Sequence, residues 1–358
     1  MGRRVLDVLF LGYFGYANLG DEILLETLAT ALRAEDPGLR LGAYTGPEGL
    51  SPGTSAMVHA MERSSGPTMR RAPGLARVLC VGPGGIFQDA TSTASCAWYA
   101  AQVWRARRAG ATVVHVGQSL GPLKSLTGRL LTRWAMGPGD PVVLRDEPSL
   151  NVAGELGLDP VHAADVAWMV ESTKPRETDD RSAVALAPRR WDAGRTGPRW
   201  WAKLRSGLEA AGIETVWLAM APDDARLAED AERLMGREPV GLRAARDTAE
   251  ALGILDRCSA VVGMRLHALI LAAVAGAAPL GISYDPKVDG LLASLGREAL
   301  CTAAAPWDPA RVVSAVENGP EPIPQPMVEH QRRRAQRNVA AIMEALAASP
   351  REEPESGR

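Results

Sequence analysis

Residues 259–276 read SAVVGMRLHALILAAVAG, and inside this apolar run stand a permanent cation, Arg265, and a titratable imidazole, His267. SAVVG has the composition of a buried strand, Gly263 permits a turn, and Met264 to His267 are expected to form the first turn of the helix that follows. The leading N–H groups of a helix lack partners and its dipole is positive there. Cations in that turn are therefore locally unfavourable, and an anion bound beside them compensates. The alternative is that both side chains reach outward to water or pair with a carboxylate such as Asp256 or Asp285. The next strand end, GISYDPKVDG, favours the anion, because it brings Tyr284, Asp285 and Lys287 to the same sheet edge. Arg265, His267 and Lys287 could then surround one small, highly charged anion. An imidazole in that position suits a general acid, and no second His or Cys lies at the spacing of a metal site.

Other strand ends carry polar loops. In LGYFGYANLGDEILLETL, Gly12, Gly15 and Gly20 allow a tight turn, Asn18 tolerates the same backbone region, and Asp21 can cap a helix beginning there. Neither G-x-G-x-x-G spacing nor the Lys-Ser/Thr of a phosphate-binding P-loop is present. VGPGGIFQDA supplies Gly82, Gly84 and Gly85, followed by Gln88 and Asp89; VGQSLGPL supplies Gln118 and Ser119. VVLRDEPSL places Arg145 after a strand, either as an anion contact or paired with Asp146 or a nearby helix end. Together these loops read as a wall for a polar acceptor, with Asp21, Asp89 and Gln118 as hydroxyl contacts and either Asp21 or Asp89 as base.

The elements that must hold these loops alternate: short strands, apolar on both faces, are separated by amphipathic helices, the pattern of a parallel sheet covered on both sides. The pattern pauses in ESTKPRETDDR (171–181) and resumes with SAVALAPR, TVWLAMAP, SAVVG and APLGISY. An α/β protein of two Rossmann-like, doubly wound domains facing across a cleft is expected. The first, 1–175, forms the acceptor side and the second, 182–325, the anion side. A closing helix follows over 326–348, and the polar tail 349–358 is expected to be disordered.

A chain of 358 residues is long enough for two cores, and 40 basic against 42 acidic side chains create no global field for nucleic acid or anionic lipid. Four scattered cysteines suggest neither zinc nor a disulfide framework and fit a reducing cytoplasm. Arg3 and Arg4 precede an apolar run as in a signal peptide, but Asp7 interrupts it. The apolar run 268–282 falls short of the roughly 20 residues of a membrane span and contains Pro279. A soluble, cytoplasmic protein is expected.

GYFGYANLGDE, GPGGIFQD, VGQSLGPL, VLRDEPS, AADVAW, VVGMRLHALILAAVAG and GISYDPKVDGLL, in that order over about residues 8–296, resemble the polysaccharide pyruvyl transferase family, especially its CsaB-type members of cell-wall biosynthesis. Pro83 interrupts a run that is commonly all glycine, and ALAPRRW matches only loosely an arginine-bearing strand end, leaving open whether Arg189 or Arg190 is used. The resemblance implies a GT-B-like fold. It also implies transfer of a pyruvyl group from phosphoenolpyruvate, as co-substrate and with no cofactor, onto two hydroxyls of a sugar. The acceptor it implies is N-acetylmannosamine of a lipid-linked polymer precursor that serves S-layer anchoring, with peripheral association at the inner membrane face. On that basis His267 delivers a proton, Arg265 holds the donor, and Lys287 and Arg145 are further anion contacts. Competing readings are a sugar-nucleotide glycosyltransferase of the same architecture and a non-catalytic glycan-binding protein.

Overall fold

The computed structural model describes residues 4–89, 93–137, 139–172, 181–191, 195–239 and 241–349. The chain forms two compact units.

The first unit holds strands β1 (Leu6–Phe14), β2 (Leu41–Thr45), β3 (Val58–Glu62), β4 (Ala76–Val81), β5 (Gly84–Phe87), β6 (Thr112–Leu120), β7 (Val142–Leu144) and β8 (Val161–His162). They pair in the order β3-β2-β1-β4-β6-β7-β8, with β5 pairing to β6 off that path, and every pairing is parallel. Strand order reverses between β1 and β4, so the loops leaving these two strands diverge to opposite faces of the sheet. All of β1 is buried except Tyr13, as a strand covered on both faces requires.

The second unit contains β9 (Ala183–Ala187), β10 (Thr215–Trp217), β11 (Cys258–Gly263), β12 (Ala278–Ser283) and β13 (Cys301–Thr302), all parallel in the order β10-β9-β11-β12-β13. The reversal here falls between β9 and β11. These strands run close together: a Cβ on Gly263 would stand 2.9 Å from the Cβ of Ala187, its partner in register. The core is filled by Trp201, Leu204 and Leu208 of helix Pro198–Ala210 against β9 and β11.

The partition differs from the sequence-based boundaries at two places. The second unit is Val170–Gln331 together with Ala17–Ile23, although the latter follows the first strand of the chain. Its attachment has a local cause: the Leu19 amide donates to the Met220 carbonyl at 2.9 Å. The closing helix runs Gln325–Ala348, and from Arg332 onward it belongs to the first unit. There Asn338 donates to the Ala164 carbonyl and Arg77 donates to the carbonyls of Leu346 and Ser349. The tail 350–358 and most of the charged stretch, 173–180, lie outside the described residues. No helix among the described residues is long and apolar enough to cross a membrane.

Candidate active site

The carboxyl ends of β9 and β11, where the strand order of the second sheet reverses, carry Arg189 and Arg265. Such a reversal opens a crevice in doubly wound sheets and is their usual ligand site. Arg265 does not enter the helix as expected. Its φ of −79° and ψ of 122° are extended, and helix Leu266–Ala275 begins after it, leaving only His267 in the first turn. Nor is its charge left open. Arg265 donates from Nε and Nη2 to the two carboxylate oxygens of Asp224, at 2.8 and 2.6 Å. Neither Asp256 nor Asp285 takes that role.

Asp224 was not anticipated. It sits in the first turn of helix Pro222–Leu234 with no solvent exposure and also accepts from the Met220 amide at 3.2 Å. Burial pushes its carboxyl above the ordinary range, against the opposing pull of Arg265 and Arg189. The signal was present as PDD after a strand end of the same sheet, but acids there also serve the helix dipole, and the sequence does not separate the two uses.

Arg189, rather than the exposed Arg190, turns toward this cluster. Its guanidinium carbon lies 4.7 Å from the centroid of the Tyr284 ring, and Trp191 packs against the same ring at 5.2 Å. Arg189 Nε is buried without a hydrogen-bond partner. Burial raises the Tyr284 phenol, partly offset by Arg189 and Arg265. One guanidinium, Arg265, thus binds the buried carboxylate directly, while Arg189 stacks on Tyr284 near enough for its charge to act on Asp224. Asp285 has a local task, capping helix Pro286–Ser294 by accepting from the Lys287 amide at 3.1 Å, with Lys287 Nζ 3.7 Å from its other oxygen.

His267 meets the Ala17–Ile23 segment. A Cβ on Gly20 would lie 2.2 Å from His267 Nδ1, so only glycine lets the imidazole rest on this backbone. Helix Leu19–Glu35 starts two residues before the expected Asp21, whose carboxylate accepts from the Asn18 side chain at 2.5 Å. Asn18 and Asp21, read from sequence as part of an acceptor wall on the first domain, therefore share a unit with His267.

The remaining first-domain candidates are engaged in holding their own unit together. Asp89 accepts from the amides of Lys124 and Ser125 and from Ser125 Oγ, which keeps its carboxyl below the usual range. Gln118 is fully buried within β6, donating to the Val81 carbonyl at 2.8 Å and lying 3.1 Å from His115 Nδ1. Arg145 donates to Asp165 at 2.5 Å and to Ser119 Oγ at 2.7 Å, with Asp146 farther off at 3.8 Å. The Gly82 turn likewise serves packing, since a Cβ there would lie 2.2 Å from the Val116 carbonyl oxygen.

A model of the polysaccharide pyruvyl transferase family matches residues 18–286. The chain belongs to that family. The matched interval of this pyruvyl transferase family member opens at Asn18 and closes just before Lys287, so it spans Gly20, Arg189, Asp224, Arg265, His267 and Tyr284. No curated protein matches its sequence. Among solved structures it is similar to a putative UDP-N-acetylglucosamine 2-epimerase from Listeria monocytogenes, with 14% identity, a TM-score of 0.62 and 98% of each chain covered. It is similar also to UDP-GlcNAc 2-epimerase from Neisseria meningitidis bound to UDP-GlcNAc, with 10% identity, a TM-score of 0.62, and 95% and 100% covered. The glycotransferase of kitacinnamycin gives 12% identity and a TM-score of 0.53, with 96% and 98% covered. The fold is accordingly that of GT-B glycosyltransferases and epimerases.

Proposed function

We propose that this family member transfers the pyruvyl group of phosphoenolpyruvate to two hydroxyls of one sugar, forming a cyclic ketal and releasing phosphate. The observation that carries the reading is Arg189, whose buried Nε has no hydrogen-bond partner, at the same strand-order reversal as His267 and as Arg265, which Asp224 holds in place. A carboxylate and a phosphate on one enol carbon need several donors converging from one side, and planar guanidinium groups suit both.

In this scheme the His267 imidazolium protonates the methylene carbon, making the central carbon electrophilic for the first hydroxyl oxygen. The bond from that carbon to the phosphate oxygen then breaks, and the second hydroxyl closes the ketal. Of the two hydroxyl protons, one restores His267 and the other leaves with phosphate. The resemblance to CsaB-type enzymes makes N-acetylmannosamine of a lipid-linked cell-wall precursor the first acceptor to try.

The test is release of inorganic phosphate from phosphoenolpyruvate only when acceptor is present, with the mass gain of a ketal on the acceptor. Replacing His267 by Ala should cut turnover about 10²- to 10⁴-fold with the fold retained. Replacing Arg189 by Ala should raise KM for phosphoenolpyruvate, because a desolvated charged donor is lost. Nucleotide release from a sugar nucleotide, with phosphoenolpyruvate untouched, would instead assign a glycosyltransferase.

A further inference from the structure

Helix Leu126–Ala135 (LTGRLLTRWA) turns a large apolar edge to solvent: Leu126 is 72% exposed, Leu130 58% and Trp134 44%. Spaced four apart, the three form one stripe along the helix, with Gly128, Thr132 and Ala135 buried on the other side. The stripe continues beyond this helix. Arg107 of helix Thr93–Arg108 donates to the carbonyls of Trp134 and Ala135, its guanidinium lying 5.1 Å from the Trp134 ring. One turn earlier Trp104 is 50% exposed, with Arg108 stacked 5.8 Å over it. Isolated exposed leucines are ordinary, whereas two tryptophans and two leucines on neighbouring helices mark a contact surface.

Charge identifies what it contacts. Between residues 90 and 139 the chain has six Lys and Arg and no Asp or Glu, although the whole chain carries a net charge of −2. Arg107 and Arg129 are paired with Asp140 and Glu155, but Lys124, Arg133 and Arg108 make no ion pair among the described residues. Arg129 and Arg133 lie on the helix face that bears the leucines, three and seven residues after Leu126. Beside the stripe a cavity of about 840 Å³ is lined by Leu130, Trp134, Met136 and Leu158, with Arg107, Arg133, Asp140 and Asp159 at its wall, Asp140 being the partner of Arg107. Apolar side chains flanked by unpaired cations, with tryptophan at the edge, are the makeup of a helix lying in a bilayer interface.

We infer that this face docks the protein on an anionic lipid bilayer, with Leu126, Leu130, Trp134 and Trp104 entering the headgroup boundary and Lys124, Arg108 and Arg133 meeting lipid phosphates. The inference is independent of the proposed reaction, since it involves none of the second unit's residues.

The experiment is co-sedimentation of the full chain with vesicles of phosphatidylcholine alone or mixed with phosphatidylglycerol. Binding should require phosphatidylglycerol and weaken as salt rises. Leu130→Ser should lower partitioning about tenfold, the loss of one buried leucine. Arg133→Glu should lower it about fivefold or more. Lys203→Glu, on an exposed position of the other unit, should leave it unchanged. All three sites are exposed, and near-ultraviolet circular dichroism checks that the variants fold. Absence of binding, equal binding to neutral vesicles, or self-association of the free chain that Leu130→Ser abolishes would overturn the inference.

Discussion

Asp224 and Arg265 form a bidentate ion pair in which the carboxylate has no solvent exposure and the guanidinium side chain only 14%. Desolvating two charges is costly, and the cost is recovered only while both are present. Asp224→Ala should destabilise the fold by about 3–5 kcal/mol, leaving a buried guanidinium without its counter-charge, and the double variant with Arg265→Ala should recover part of that loss. Denaturant unfolding of the two single variants and the double variant measures this; strict additivity would mean that the pair does not act as a unit.

Gly20 is set by its neighbour His267. Alanine at this position places a methyl group 2.2 Å from Nδ1, so the ring must shift. Gly20→Ala should therefore reduce turnover toward the level of His267→Ala, while helix Leu19–Glu35 itself tolerates alanine. Steady-state kinetics decides, and full activity would show that the ring's resting place is unimportant.

Asp89 anchors the backbone that leads into helix Leu126–Ala135, whose N-cap is Ser125. Asp89→Ala should cost roughly 1–2 kcal/mol, as the loss of a cap does, and leave KM for either substrate unchanged. A large rise in acceptor KM, with stability unaltered, would restore Asp89 to the binding surface.

Glu209 accepts from Arg237 and Arg205, and these guanidinium groups hold its carboxyl down at about 2, against an ordinary 4.5. A carboxyl lowered by folding contributes stability that is complete above its unfolded value and disappears as pH falls through the folded one. The contribution of Glu209, on the order of 1–2 kcal/mol at its partly exposed site, should therefore be lost between pH 4.5 and 2. Glu209→Gln should flatten the pH dependence of unfolding in that window.

Strand–helix alternation was legible because parallel strands covered on both faces are almost wholly apolar, as in AVALA of β9 and, apart from the exposed Ser259, CSAVVG of β11. The cluster around Arg265 was legible in part. Arg265 and His267 stand out against their surroundings, but the partner of Arg265 lies 41 residues earlier, brought near only by the order in which β9, β10 and β11 pair. The same limit hid Asp165 behind Arg145, where the adjacent Asp146 was the obvious choice. Sequence adjacency is a poor guide to ion pairing once strand ends 20 or more residues apart converge. Glycine-rich loops are ambiguous for a different reason: a close approach to a β-carbonyl, as at Gly82, leaves the same residue preference as a close approach to a ligand.

Because Ala17–Ile23 is built into the second unit while the strands on either side of it in sequence belong to the first, the chain cannot be divided into independent halves at a single peptide bond. A fragment beginning at Val170 would lack the glycine on which His267 rests. Any split version of this protein must therefore return that short peptide in trans, and complementation by a synthetic segment covering it offers a direct on–off handle on the imidazole.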